Sequence, residues 1–228
     1  MPTNTAEVGL ENLIVEHLRD NNHYIQGTST DYNTDYALDT ARIEAYLQAT
    51  QPQKVAESLA FASPHNKHNF FERLKNEITK RGVIDVLRKG YRYNTHLFDM
   101  YSPLPSELND TAKEQYNKNI FCVIRQLHYS KTLTNLSLDV AVFLNGMPLI
   151  TFELKNQFTG QNVSNAIKQY RTDRDPKDLI FKFDLKDQIS EKEKVISEKN
   201  KEISALKKRM HESFFAKIRR ALRKLFNK

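Results

Sequence analysis

The chain has 228 residues, 39% of them hydrophobic, with 13 Phe and 10 Tyr, which fills one good-sized core plus an appendage. No apolar run approaches the ~20 residues of a membrane span, the start MPTNTAEVGLENL lacks the basic-then-apolar pattern of a secretory signal, and the single cysteine, Cys122, excludes both a disulfide framework and a zinc site. The formal net charge is +7, and residues 184–228, with 14 Lys and Arg against 7 Asp and Glu, account for all of it, so residues 1–183 are formally neutral.

In chain order, GLENLIVEHLRDN carries Leu10, Leu13, Ile14 and Leu18 at helical spacing and predicts a helix over about 7–20. LDTARIEAYLQAT is the next helix, with Asp39 or Thr40 as its N-cap. Pro52 opens a third, to about 62. Ser63-Pro64 breaks it, and NFFERLKNEITKR is a fourth, ended by Gly82. VIDVLRK and HLFDMYS read as short strands, and 102–110 as a loop. IFCVIRQLHYS, 120–130, is the first strong strand, with Cys122 expected as a small buried apolar group. LDVAVFLNGMPLITFELKN, 138–156, is a hairpin, and 161–172 a helix with Val163, Ala166, Ile167 and Tyr170 on one face. Beyond Phe183 the composition turns Lys- and Glu-rich. Ile189, Ile196, Ile203 and Met210 recur every seventh residue, a sparse heptad seam. The end, FFAKIRRALRKLFNK, is an amphipathic basic helix.

The hairpin holds three charges that an apolar segment would not bury without a reason: Asp139 on one arm, Glu153 and Lys155 on the other. Side chains alternate along a strand, so Glu153 and Lys155 share a face. Whether Asp139 joins them depends on the turn. A two-residue Asn145-Gly146 turn pairs 139 with 152 and turns Asp139 away; a three-residue loop or a bulge pairs 139 with 153. Two carboxylates that close repel unless a cation lies between them, and Mg²⁺ accepts one or two carboxylates plus waters. Lys155 beside it could orient or deprotonate an attacking water. Acid, then acid-x-lysine on the next strand, is a workable phosphodiester-cleaving site. A Glu–Lys pair on a solvated face is the competing reading of the same spacing.

LDVAVFLNGMPLITFELKNQFTGQNVSNAIKQYRTDRDP resembles the nuclease domain of the R subunits of type I restriction enzymes, within the PD-(D/E)xK nuclease superfamily. The resemblance extends back through KNIFCVIRQLHYS, DYALDTARIEAYLQATQP and LENLIVEHLRDN and covers roughly 8–183, with FELKNQFTGQNV its most specific part. It implies an α/β fold, a mixed β-sheet flanked by helices with a restriction-endonuclease-like core over 1–183; the helical, basic tail over 184–228 is read from its own composition and spacing. The resemblance implies Asp139 and Glu153 as metal-binding acids and Lys155 as the catalytic lysine. Glu11, on the first helix, matches a glutamate that often helps at the metal site, although its position alone reads as a solvated helix residue. Gln169 matches the glutamine of a Gln-x-x-x-Tyr motif that is half present here, since position 173 is Asp and the tyrosine is at 170.

By resemblance the activity is Mg²⁺-dependent cleavage of DNA in restriction-modification, with methyltransferase (M) and specificity (S) subunits as partners; the single cysteine and the lack of a secretory signal lead to the expectation of a reducing cytoplasm. The chain has no Gly-x-x-x-x-Gly-Lys-[Ser/Thr] phosphate loop, so ATP hydrolysis and translocation are not expected of it alone. The resemblance stops near FKF, where family members continue into another strand; a fragment, a frameshifted gene and a stand-alone nuclease-like protein all fit. The alternative is a catalytically inactive remnant that binds DNA or docks on the other subunits. The tail has three readings: packing or self-association, phosphate binding and an anionic membrane surface, the last the least favoured. His65 and His68 are expected as loop residues ahead of a helix, and Arg125, His128 and Tyr129 as half-buried sheet residues that could touch a phosphate.

Overall fold

Helix boundaries follow the capping residues. The structure, a computed structural model, describes residues 7–105, 109–154, 175 and 177–183. Helix α1 spans Glu7–Asn22, and α2 spans Thr40–Thr50 with Asp39 as its N-cap, its carboxylate accepting the Arg42 N–H at 3.0 Å. Pro52 opens α3, Pro52–Ser58, which ends four residues short of the predicted limit. Ser63 caps α4, Pro64–Arg81, accepting the Asn66 N–H at 3.1 Å, and Gly82 ends it at φ 86°.

VIDVLRK is not a strand. It forms α5, Val83–Lys89, because Val83, Val86 and Leu87 fall at helical spacing and are all buried. HLFDMYS contributes only β3, His96–Phe98, which pairs with β2, Tyr91–Tyr93, as a small antiparallel ribbon. Part of the predicted 102–110 loop begins a further helix, α6, Asp110–Tyr116.

The main sheet joins β1, Ile25–Gly27, β4, Phe121–His128, β5, Ser137–Leu144, and β6, Met147–Phe152, in the order β1-β4-β5-β6. β1 runs parallel to β4 and the other pairs are antiparallel, so the sheet is mixed. Sequence reading missed β1, a three-residue strand too short to show a period. The expected mixed sheet flanked by helices is present among the described residues. The 161–172 helix and the 184–228 tail lie outside them.

Two cores form. The larger joins Cys122, Ile124, Ala141 and Phe143 of the sheet to α2, α4 and α5. Aromatic rings fill it: Phe70 meets Tyr91 and Tyr93 at 5.0 Å each and Phe98 at 5.7 Å, all edge-on. The smaller core lies beneath α1, where Val15 packs on Val123, Val140 and Val142. The buried stripe of α1 is therefore Glu11, Val15 and partly buried Leu18, whereas Leu10 and Leu13 are exposed. The sequence-based face was displaced by one position. Among the described residues no helix is long and apolar enough to cross a membrane.

Candidate functional site

The turn between β5 and β6 decides whether Asp139 and Glu153 can meet. It is the two-residue form: Leu144 pairs with Met147, with Asn145 and Gly146 at φ 49° and 83°. The tip is held firmly. Asn145 is fully buried, accepts the Ile120 N–H at 2.7 Å and donates to the Met100 carbonyl at 3.0 Å. Gly146 accepts the Asp39 N–H through its carbonyl at 2.8 Å.

Such a turn alone would leave Asp139 opposite Phe152. The register then slips. Phe143 pairs with Pro148 but Val142 pairs with Ile150, so Leu149 is the extra residue of a bulge. Pro148 cannot donate to a ladder and is at home beside a bulge on β6, which lies at the sheet's edge among the described residues. Beyond the slip Val140 pairs with Phe152. Continued by one residue, that register would set Asp139 across from Glu153, which lies just past the end of β6. Of the two devices that could shift the register, an odd loop and a bulge, the bulge is the one present.

A second irregularity lies one strand away. In β4, Cys122 and Ile124 enter the larger core, and strict alternation would send Gln126 after them; Leu127 and Tyr129 enter it instead. In β5, Phe143 and Ala141 enter the same core, and alternation would send Asp139 there; Leu138 enters instead. Both strands change phase on the same rung. Arg125 pairs with Val140 and Leu127 with Leu138, and between these pairs Gln126 faces Asp139. Gln126 absorbs the change with a left-handed backbone, φ 46°. That conformation costs a non-glycine residue roughly 1–3 kcal/mol. The shift spares Asp139 an apolar burial that would be costlier still for an unpaired carboxylate.

The displaced side chains form a network with α1. Glu11 is 3% exposed, not solvated as its helix position suggested. Arg125 Nε donates to Glu11 Oε1 at 3.0 Å, and Gln126 Nε2 donates to Glu11 Oε2 at 3.2 Å. The same Nε2 donates to Asp139 Oδ1 at 3.4 Å, while Asp139 Oδ2 accepts the Leu154 N–H at 2.6 Å. The structure thus brings Glu11 and Asp139 together through Gln126, a residue that sequence reading did not single out. Glutamine is an unusual residue for left-handed φ, so no local signal marked it. Glu153 is half-buried; Lys155 and Gln169 lie outside the described residues.

These donors are carboxylate oxygens, which suit a hard cation such as Mg²⁺ that completes its shell with water. Among the described residues no three His, Cys, Asp or Glu side chains gather into a metal cage.

His65 and His68 are not loop residues; both lie in the first turns of α4, where His65 Nε2 contacts Asn69 and His68 Nδ1 contacts the Tyr36 hydroxyl at 2.8 Å. Of the three strand candidates Arg125 is half-buried, His128 exposed and Tyr129 buried.

The family model described as type I restriction enzyme R protein N terminus matches residues 4–190. No curated protein and no solved structure gives a significant match.

Proposed function

The chain belongs to the type I restriction enzyme R protein N-terminal family, and from that premise we propose that it is a Mg²⁺-dependent DNA endonuclease unit with a restriction-endonuclease-like core. The bulge at Leu149 is the observation that carries this reading. It shifts the register by one residue, so that the ladder ends with Val140 opposite Phe152, and Asp139 Oδ2 accepts the N–H of Leu154, the residue next to Glu153.

Asp139 and Glu153 would hold the metal through carboxylate oxygens. Bound Mg²⁺ lowers the pKa of a coordinated water and offsets charge on the phosphate. Lys155 orients or deprotonates the attacking water and stabilises the negative charge that develops as the phosphodiester bond breaks. Glu11, paired with Arg125, and Gln169 on the downstream segment support the site. DNA is the substrate, and methyltransferase and specificity subunits are the partners that supply the target sequence.

The test is nicking of supercoiled plasmid by the full chain. Mg²⁺-dependent nicking is expected, and Asp139→Ala and Lys155→Ala should each abolish it. Cleavage that survives in both variants comes from another enzyme and refutes the assignment. DNA binding by the unaltered chain with no nicking favours instead a non-cutting unit that binds DNA or docks on the other subunits.

A further inference from the structure

We infer that Gln126 is a positioning residue, whose carboxamide stands between the Glu11 and Asp139 carboxylates and sets Asp139 for its cation. The inference rests on the reading of Asp139 as a metal-binding acid.

Three observations meet on this one side chain. First, Nε2 lies 3.2 Å from Glu11 Oε2 and 3.4 Å from Asp139 Oδ1, so the two protons of one amide nitrogen serve two acids. Second, Gln126 Oε1 accepts the Ser137 hydroxyl at 2.8 Å. Carboxylates accept only, so the NH₂ end must face the acids, and the Ser137 bond holds that orientation. Third, the backbone at Gln126 is left-handed in mid-strand. Glycine adopts that conformation freely. If the kink alone were needed, glycine would serve better, so the side chain must justify the strain.

The chemistry of an amide suits the role. A Lys or Arg between the two acids would neutralise them and exclude a divalent ion. An amide relieves their repulsion and adds no charge. Its two bonds to the acids are at or beyond the long end of the usual N–H···O range, so Asp139 Oδ1 remains available to a stronger partner. Gln126 is exposed, so the rung opens to solvent where an ion and a phosphate can reach it. Residues that orient a metal ligand typically change metal affinity 10–100-fold when removed.

The experiment uses the full chain, Mn²⁺ as the probe, electron paramagnetic resonance to count free ion, and thermal unfolding in the absence of cation. Gln126→Gly should keep cooperative unfolding without cation, relief of backbone strain offsetting the lost amide bonds, yet bind Mn²⁺ about tenfold or more weakly. A residue that only shapes the backbone would show neither the separation nor the loss. Gln126→Asn is the second variant. It tolerates left-handed φ, but its amide is one methylene short, and it should also weaken Mn²⁺ binding. If either variant binds Mn²⁺ like the unaltered chain while Asp139→Ala does not, the role of Gln126 is overturned and the metal site stands. If the unaltered chain and Asp139→Ala bind Mn²⁺ alike, the metal reading falls and the positioning role with it.

Discussion

Single residues in this chain are set by what surrounds them more than by their own type. Cys122 is fully buried, and burial pushes its thiol up to about 11. The thiolate is the reactive species. At pH 8 the native protein should therefore react with a thiol reagent such as dithionitrobenzoate far more slowly than the same protein in denaturant. The folded value lies above the ordinary one of 9.0, so the neutral thiol favours the folded state below pH 9, and that contribution is lost as pH rises towards 11. Equal reaction rates with and without denaturant would show that the thiol is open. Gly146 is constrained differently. Its φ is 83°, and a Cβ there would collide with the Asp39 carbonyl and the Ile43 backbone. Gly146→Ala should destabilise the fold by at least about 1–3 kcal/mol, the backbone strain alone, measurable by denaturant unfolding.

At the scale of elements, α1 is fastened to the sheet by a buried acid as well as by Val15. Arg125 and Glu11 form an ion pair at 3.0 Å, with the Glu11 side chain 4% exposed and Arg125 32% exposed. Removing the arginine leaves a buried carboxylate with only an amide to bond. Arg125→Ala should cost about 1–3 kcal/mol. The double variant with Glu11→Ala should cost less than the two single changes added together, because the groups share one interaction. Additive losses in unfolding titrations would refute the coupling. The sequence showed the elements well where caps and hydrophobic period agreed, as at Asp39, Ser63 and Gly82. It misled where one signal outweighed another. VIDVLRK has the β-branched residues of a strand, but Val83, Val86 and Leu87 already mark a helical stripe, and packing on the larger core decides for the helix. In α1 the spacing 11, 15, 18 was legible, yet a glutamate heading the stripe disguised it. The hairpin register was legible as a conditional statement: an odd loop or a bulge. Pro148, beside the bulge, is the residue that could have chosen between them but was not singled out. The phase change at Gln126 was not legible, because it is a compromise between two strands and a helix distant in sequence.

The whole molecule divides by composition into a neutral body and a tail that carries the +7 charge. The body is closed late in the chain. Ile180, Phe181 and Phe183 are buried in the larger core, Phe181 meets Tyr129 edge-on at 5.0 Å, and the Ser130 hydroxyl donates to Asp178 at 3.2 Å. Burying a large apolar side chain contributes roughly 1.5–3 kcal/mol, so these three together rival the roughly 5–15 kcal/mol stability of an ordinary domain. A chain ending at residue 174 should therefore fail to unfold cooperatively, while one ending at residue 190, the limit of the family match, should retain the midpoint of the full chain. The shorter folded chain then isolates the tail's electrostatics. Each phosphate neutralised by a lysine or arginine adds about 0.9 to the slope of log affinity against log salt. With the excess charge in 184–228, the full chain should bind non-specific duplex DNA with a steep salt dependence, and the 190-residue chain with a shallow one. Equal slopes, measured by fluorescence anisotropy between low and physiological salt, would mean that the neutral body supplies the phosphate contacts and that the tail's charge faces something other than DNA.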